Sequence, residues 1–207
     1  MKLALFGSTG LLGKAVLVEA RRRGHDVSVL VRKAAPTTDG TRAIIGDARD
    51  PKAIHDTIKD ADAVIQCLGV GGLGDGKPND LVPDATRVIV EEMKANGMRR
   101  LVCASNIGVP GSGAFFLRWV LVPLFARKLI PIVAAKIKME AILRESGLDW
   151  TAVRLPALNE KPARSKWKVS AEGRATGFTI TTADAAAFML DIIEKKQFAA
   201  KAVAISN

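Results

Sequence analysis

Residues 3–13 read LALFGSTGLLG, and this stretch decides the fold. Leu3 to Phe6 is a short apolar run that stops at Gly7. A helical pattern then runs from about Leu11 to Arg23, and Gly24 is placed to cap it. A strand, a glycine turn and a helix in that order make Gly7-Ser8-Thr9-Gly10-Leu11-Leu12-Gly13 a dinucleotide loop rather than ordinary turn chemistry. One glycine permits the tight bend. The next lets backbone amides approach a pyrophosphate, and the last lets the helix pack against the strand. The free amides and the positive end of the helix dipole would then face phosphate. The spacing is GxxGxxG rather than GxGxxG.

Beyond this turn, strands alternate with helices of ten or more residues. Val27–Val31 (VSVLV), Ala43–Ile45, Ala61–Leu68 (ADAVIQCL), Arg100–Ser105 (RLVCAS), Trp150–Leu155 (WTAVRL) and Lys201–Ile205 read as strands. Helices are expected from Pro51 to about Lys59, Leu81 to Asn96, Pro131 to Ser146 and Thr182 to Glu194. Gly69–Pro78 reads as a polar glycine-rich loop, and Asn159–Gly177 as basic and irregular with room for a short strand. The pattern predicts an α/β domain: one doubly wound, mostly parallel sheet spanning residues 1–207, with a nucleotide across its strand-order reversal.

About 20 residues past the last glycine, the end of the second strand should meet the adenosine ribose. A carboxylate there would favour NAD. Here the strand ends Val31-Arg32-Lys33, and Asp26 lies at its other end. Two cations suit a 2′-phosphate, arginine with bidentate geometry, so NADP(H) is expected over NAD(H).

The 207 residues suffice for one sizeable core. With 48% hydrophobic and 25% charged residues, disorder, a collagen-like fibre and a disulfide mini-protein are excluded. Lys and Arg number 31 against 21 Asp and Glu, a net +10 that suggests an anionic partner. The basic runs Arg21–Arg23, Arg99-Arg100, Lys161–Lys168 and Lys195-Lys196 are dispersed and read as solvated faces, so no specific nucleic acid is expected. Cys67 and Cys103 read as buried reduced thiols, with a redox pair as the alternative, which fits the cytoplasm. Met1-Lys2 and the apolar run after it look like the start of a signal peptide, but Gly7–Gly10, Lys14 and Glu19 cut it short. No stretch reaches the roughly 20 apolar residues that span a bilayer. His25 and His55 stand apart from the expected crevice, and no spacing suggests a metal.

The Gly7–Gly13 turn, Val31-Arg32, Gly46-Asp47, Ser105, and Lys136 with Glu140 ahead of SGLDWTAVRLP carry a family resemblance over nearly the whole chain. The chain resembles the atypical short-chain dehydrogenase/reductases with an NAD(P)H-binding Rossmann domain, nearest the NADH-flavin reductase and biliverdin reductase B group. The resemblance implies that Ser8, Thr9, Gly10, Leu11 and Leu12 hold the pyrophosphate, and Arg32 with Lys33 the 2′-phosphate. It places Asp47 and Ala48 at the adenine, and Leu68 and Gly69 toward the nicotinamide half. Ser105 and Asn106 would lie near the nicotinamide, with Pro156 and Ala157 along its far edge.

One departure matters more than these matches. Many relatives use a Tyr-x-x-x-Lys pair to shuttle a proton. This chain has no tyrosine, and Ile132 stands four residues before Lys136. Alcohol oxidation through a tyrosinate is therefore excluded, and an isomerase or dehydratase acting on a sugar-like substrate is disfavoured. The candidate catalytic residues are Ser105 and Lys136. Lys136 is alternatively a helix-surface lysine, and Ser105 a loop cap. The expected activity is NADPH-dependent hydride transfer to a small aromatic acceptor: a flavin, quinone or tetrapyrrole. The alternative is a non-catalytic NADP(H)-binding sensor. The substrate side would come from about residues 107–135 and 157–180. Within it, Ala114–Ala135 offers apolar surface for the core, for a flat acceptor pocket, or for a homodimer or membrane-surface contact.

Overall fold

The computed structural model describes residues 1–33, 41–69, 77, 79–113 and 122–207, with side chains described from residue 128 onward in the last span. Among the described residues, ten strands and five helices follow one another as β1 (Lys2–Phe6), α1 (Leu11–Arg22), β2 (Asp26–Val31), β3 (Thr41–Ile45), α2 (Pro51–Ile58), β4 (Ala63–Gln66), α3 (Leu81–Ala95), β5 (Arg100–Asn106), α4 (Val122–Glu145), β6 (Asp149–Leu155), β7 (Ala157–Asn159), β8 (Lys168–Ser170), β9 (Thr179–Thr181), α5 (Thr182–Glu194) and β10 (Lys201–Ser206). Eight strands form one sheet in the order β3-β2-β1-β4-β5-β6-β10-β8. All neighbours run parallel except β8, which runs antiparallel to β10 at the edge. The order reverses between β1 and β4, where an α/β sheet of this kind opens its crevice.

Alternation along each strand fills both faces. Leu3, Leu5, Val27, Val29, Ile65, Val102 and Val153 face α1 and α5, with Val16, Ala186 and Met189 opposite them. Ala4, Phe6, Val64, Leu101 and Ala152 face α2, α3 and α4, with Ile54, Ile89 and Met139 opposite. Strands buried on both sides are the physical reason that the sequence runs are continuously apolar rather than alternating with polar residues.

One expectation changes, and two are made specific. The helix expected from Pro131 starts at Val122, and Pro131 sits inside it. A proline there lacks the amide that would donate to the carbonyl four residues earlier, so the sequence signal of a helix start is misleading. The irregular 159–177 segment holds β8, and short β9 pairs with β7 as a second two-stranded sheet. The two cysteines lie on opposite sides of the main sheet, Cys67 against the α1 face and Cys103 in the α3 face, so they form no redox pair. Burial holds both thiols protonated, pushing Cys67 up to about 12. The expected glycine-rich loop lies outside the described residues apart from Gly69 and Lys77, as do the aromatic residues of the apolar segment 114–121.

The run Arg21–Arg23 is also less solvated than expected. Arg23 donates to Glu19, Asp191 and Glu194, tying α1 to α5, and Glu194 also meets His25 Nε2 at 2.7 Å. The Arg22 and Arg23 hydrogen bonds hold the Glu19 carboxyl down to about 2, although burial opposes them. Because the folded value is depressed, this stabilisation is complete above the unfolded value and is lost as pH falls toward about 2. Glu19→Gln should remove about 1–2 kcal/mol at pH 7, allowing for screening at the exposed Arg22, and should flatten the stability profile below pH ~5. Urea unfolding at pH 7 and pH 3 checks this. An unchanged slope between those pH values would rule Glu19 out.

Candidate functional site

The site begins where β1 ends. Gly7 takes a left-handed conformation (φ 84°), and a Cβ there would lie 2.7 Å from the Cys67 carbonyl carbon of the chain leaving β4. Gly13 is tighter still: its Cβ would lie 2.0 Å from Gly7 O. These two glycines bring the start of α1 against the turn and the turn against the next strand. Gly10 differs. Its Cβ would meet only Gly7 O, at 3.5 Å, so open space lies over the helix start.

No side chain caps α1, and its first turn holds no acidic residue. By contrast, Asp50 accepts from Lys52 N at the start of α2, and Thr181 accepts from Asp184 N at the start of α5. The leading amides of α1 therefore keep their capacity for an anion at the positive dipole end. Leu11 stands 45% exposed beside them, whereas the Leu12 side chain is in the core and can offer only its amide. A pyrophosphate fits this cradle: the helix start is uncapped, its first turn holds no acidic residue, and the approach over Gly10 is open among the described residues.

The second part lies at the ends of β2 and β3. Arg32 and Lys33 are exposed there, and Gly46 N donates to Val31 O, placing Asp47 beside them. Asp47 is held by Arg49, whose Nε and Nη2 donate at 2.9 and 2.8 Å. Arg49, with a smaller contribution from Arg32, brings the Asp47 carboxyl down to about 2. Arg49 was missed in the sequence because nothing in its spacing marks it; the turn into α2 is what gathers it. Ala48 is buried against α2, so its methyl group faces the core rather than the crevice.

The third part spans the carboxyl ends of β4, β5 and β6. Here the helix-surface reading of Lys136 is corrected. Lys136 is 7% exposed and its ammonium donates to Leu68 O at 2.9 Å and Ala104 O at 2.7 Å. It bridges the ends of β4 and β5, on the β4 side of the crevice, and burial lowers its pKa. Ser105 is buried too, and its hydroxyl donates to Glu140 Oε1 at 2.8 Å. The loop cap is instead Asn106, whose Oδ1 accepts from Gly108 N. Glu140 also receives Arg154 through Nε at 3.0 Å and Nη2 at 2.8 Å, and Arg144 at 2.8 Å. Arg154 Nη1 then reaches Gly173 O. This cluster joins α4, β5, β6 and the 173 turn directly below Asn106. Pro156 is buried after β6, and Ala157 N donates to Phe178 O. Leu68 is half-buried and Gly69 exposed at the end of β4.

Elsewhere the chemistry is sparse. Among the described residues no group of His, Cys, Asp and Glu could hold a metal ion. An open depression of 420 Å³ among Lys2, Asp26, Arg42 and Asp60 lies at the amino ends of β1–β3, the edge opposite the glycine turn. Helix C-termini rather than N-termini point toward that edge, so it lacks anion-binding amides.

The sequence profile of the NAD(P)H-binding family matches residues 7–196, from the glycine turn to the end of α5. The chain belongs to this NAD(P)H-binding family. Among related sequences of this NAD(P)H-binding protein, the 3-diazoavenalumate denitrifying reductase of a Streptomyces species is 32% identical over 114 residues, covering 51% of this chain and 38% of the relative. The chain spans 14% of the Mycobacterium tuberculosis protein Rv2047c, at 24% identity over 155 residues and 74% of this chain. Two solved structures share the fold over 100% of this chain. One is ChuY, an anaerobilin reductase from Escherichia coli O157:H7, with TM-score 0.81, 20% identity and 97% of its own chain covered. The other is a Veillonella parvula short-chain dehydrogenase/reductase in complex with NADP, with TM-score 0.77, 16% identity and 94% covered. The mostly parallel sheet is thus the Rossmann-type fold of NAD(P)-binding proteins. No described helix is long and apolar enough to cross a membrane.

Proposed function

We propose that this NAD(P)H-binding protein uses NADPH to reduce a small planar aromatic acceptor, a flavin, quinone or tetrapyrrole, with no tyrosine acid. One observation carries the reading: the family lysine is committed to two backbone carbonyls in a chain with no tyrosine to activate. A conjugated acceptor suits such a site, because it can take a hydride without simultaneous protonation by the protein, and water then supplies the proton. When bound, the reduced nicotinamide supplies that hydride. The chain's own residues bind and orient. The amides of residues 8–13 hold the pyrophosphate and Arg32 with Lys33 the 2′-phosphate. Asp47 and Ala48 lie toward the adenine. Leu68, Gly69, Ser105, Asn106 and Pro156 shape the nicotinamide end, which Lys136 braces from below. The buried thiols suit a reducing compartment such as the cytoplasm.

A second reading rests on the same engagement of Lys136 and Ser105, which leaves neither group poised to move a proton: a non-catalytic NADP(H) sensor. NADPH oxidation measured with FMN, quinones and biliverdin separates the two. Turnover with at least one of these is expected, at rates rising with acceptor concentration. Tight NADPH binding with no turnover across the panel would establish the sensor instead.

The 2′-phosphate assignment has its own test. Arg32→Glu should weaken NADPH binding about a hundredfold and NADH binding by less than about threefold, read by calorimetry. Equal losses for both nucleotides would remove Arg32 from the site.

A further inference from the structure

The turn between β3 and α2 holds two opposite charges in a fixed place. Gly46 lets α2 close onto β2, since a Cβ there would lie 2.5 Å from the Ala53 Cβ and 3.4 Å from Leu30 Cδ1. Gly46 N donates to Val31 O and Asp50 N to Asp47 O, and Asp50 caps α2 by accepting from Lys52 N. On this frame Asp47 Oδ1 accepts from the Arg49 amide at 2.8 Å. The Arg49 guanidinium then closes on both carboxylate oxygens, Nε on Oδ1 at 2.9 Å and Nη2 on Oδ2 at 2.8 Å. The backbone bond and the bidentate fork together make the pair part of the turn.

The pair lies where a 2′-phosphate would bring negative charge. β2 and β3 run parallel with Val31 in register with Ile45, so Arg32 and Asp47 follow adjacent strand ends. The Arg49 hydrogen bonds, and more weakly the charge of Arg32, hold the Asp47 carboxyl ionised. A bare carboxylate at this place would repel a 2′-phosphate. It would offer an acceptor to a ribose 2′-hydroxyl instead, the arrangement that favours NAD(H). Arg49 occupies both of its oxygens. Asp84, which also acts on Arg49, is itself paired with Arg87 at 2.7 Å.

We propose that Arg49 sets the preference for NADP(H) as a positioning residue: by pairing with Asp47 it cancels the carboxylate charge that would otherwise oppose the 2′-phosphate. Arg32 and Arg49 then select the nucleotide together, the first by binding the phosphate and the second by masking its neighbour. This rests on the assignment of the 2′-phosphate to Arg32 and adds a second determinant to it.

Calorimetric titration of NADPH and NADH at low ionic strength tests the proposal, with the ratio of the two affinities as the readout. Arg49→Gln should weaken NADPH about tenfold and NADH by less than about twofold. Arg49→Lys keeps the charge without the fork and should recover most of the ratio. Asp47→Asn removes the charge but keeps the oxygen that accepts from the Arg49 amide, and any lost adenine contact falls on both nucleotides alike. Combined with Arg49→Gln, it should bring the ratio back to within about threefold of the parent, because no carboxylate is left to mask. Both side chains are about half in water, so all variants should unfold thermally like the parent. A ratio that stays tenfold low in the double variant would mean that Arg49 binds the phosphate directly, and it overturns the proposal. So does an unchanged ratio in Arg49→Gln when Arg32→Glu lowers it. If Arg32→Glu also leaves the ratio unchanged, the 2′-phosphate assignment beneath the proposal has failed instead.

Discussion

Gly10→Ala should fold as well as the parent and lose NADPH binding by about a hundredfold, whereas Gly13→Ala should lose both binding and stability. The contrast follows from the space around each position. At Gly13 an added Cβ would lie 2.0 Å from Gly7 O and 2.9 Å from the Ser8 Cα, so helix and turn must separate. Overpacking of this kind against backbone costs about 3 kcal/mol or more, because no rotamer relieves it. At Gly10 the nearest atom is Gly7 O at 3.5 Å, ordinary contact, and its backbone angles (φ −77°, ψ 167°) suit any residue. Alanine there should shift stability by less than about 0.5 kcal/mol. Its methyl group would instead stand in the open approach to the uncapped amides of α1. Thermal unfolding and nucleotide calorimetry on both variants give the answer. If Gly10→Ala binds NADPH normally, the phosphates do not pass over this helix start.

Removing the Glu140 carboxylate should produce the largest loss of stability in the molecule. Glu140 is 1% exposed and Arg154 is 4% exposed, and they are joined by two hydrogen bonds. Glu140→Ala strands a buried guanidinium and leaves the Ser105 hydroxyl without its acceptor. Breaking such a pair from one side costs about 3–5 kcal/mol, far more than the pair itself contributes, since both charges gave up hydration to reach it. Combining Glu140→Leu with Arg154→Met should recover at least half of that loss, because the stranded guanidinium is removed along with its partner. Gly173 O would lose its donor in the double variant, so recovery should stop short of the parent. Urea unfolding of the single and double variants measures both effects. A single-variant loss below about 1 kcal/mol would mean that water reaches the cluster.

The cluster also bears on the site. It fixes the end of β5, the 173 turn and α4 as one piece, while Lys136 ties β4 to β5 one helical turn away on the same helix. The lysine and glutamate at i and i+4 of α4 thus tie the ends of β4, β5 and β6 together from one helix. This gives a physical reason for Lys136 to be present without a tyrosine: the buried Ala104 carbonyl and the half-buried Leu68 carbonyl take a donor at that point.

The sequence by itself determined the parallel sheet, the glycine turn and the absent tyrosine. Each is written in local terms: apolar runs of strand length, helix-start and helix-stop residues, and glycines at fixed offsets. Thr182 and Asp184 marked the start of α5 correctly for the same reason, since a helix cap is settled within four residues. Tertiary structure alone decided what the polar residues do. Whether Lys136 faces water or two strand ends, whether Ser105 donates to Glu140, whether Arg49 takes Asp47 and where the 173 turn lies all depend on partners brought together by the fold from different elements. Pro131 shows the same limit in the backbone, because a proline that reads locally as a helix start is tolerated mid-helix once the surrounding packing holds the chain. Hydrophobic periodicity records which face of an element is buried, but a hydrogen-bond partner supplied by a distant element leaves no periodic trace in the chain.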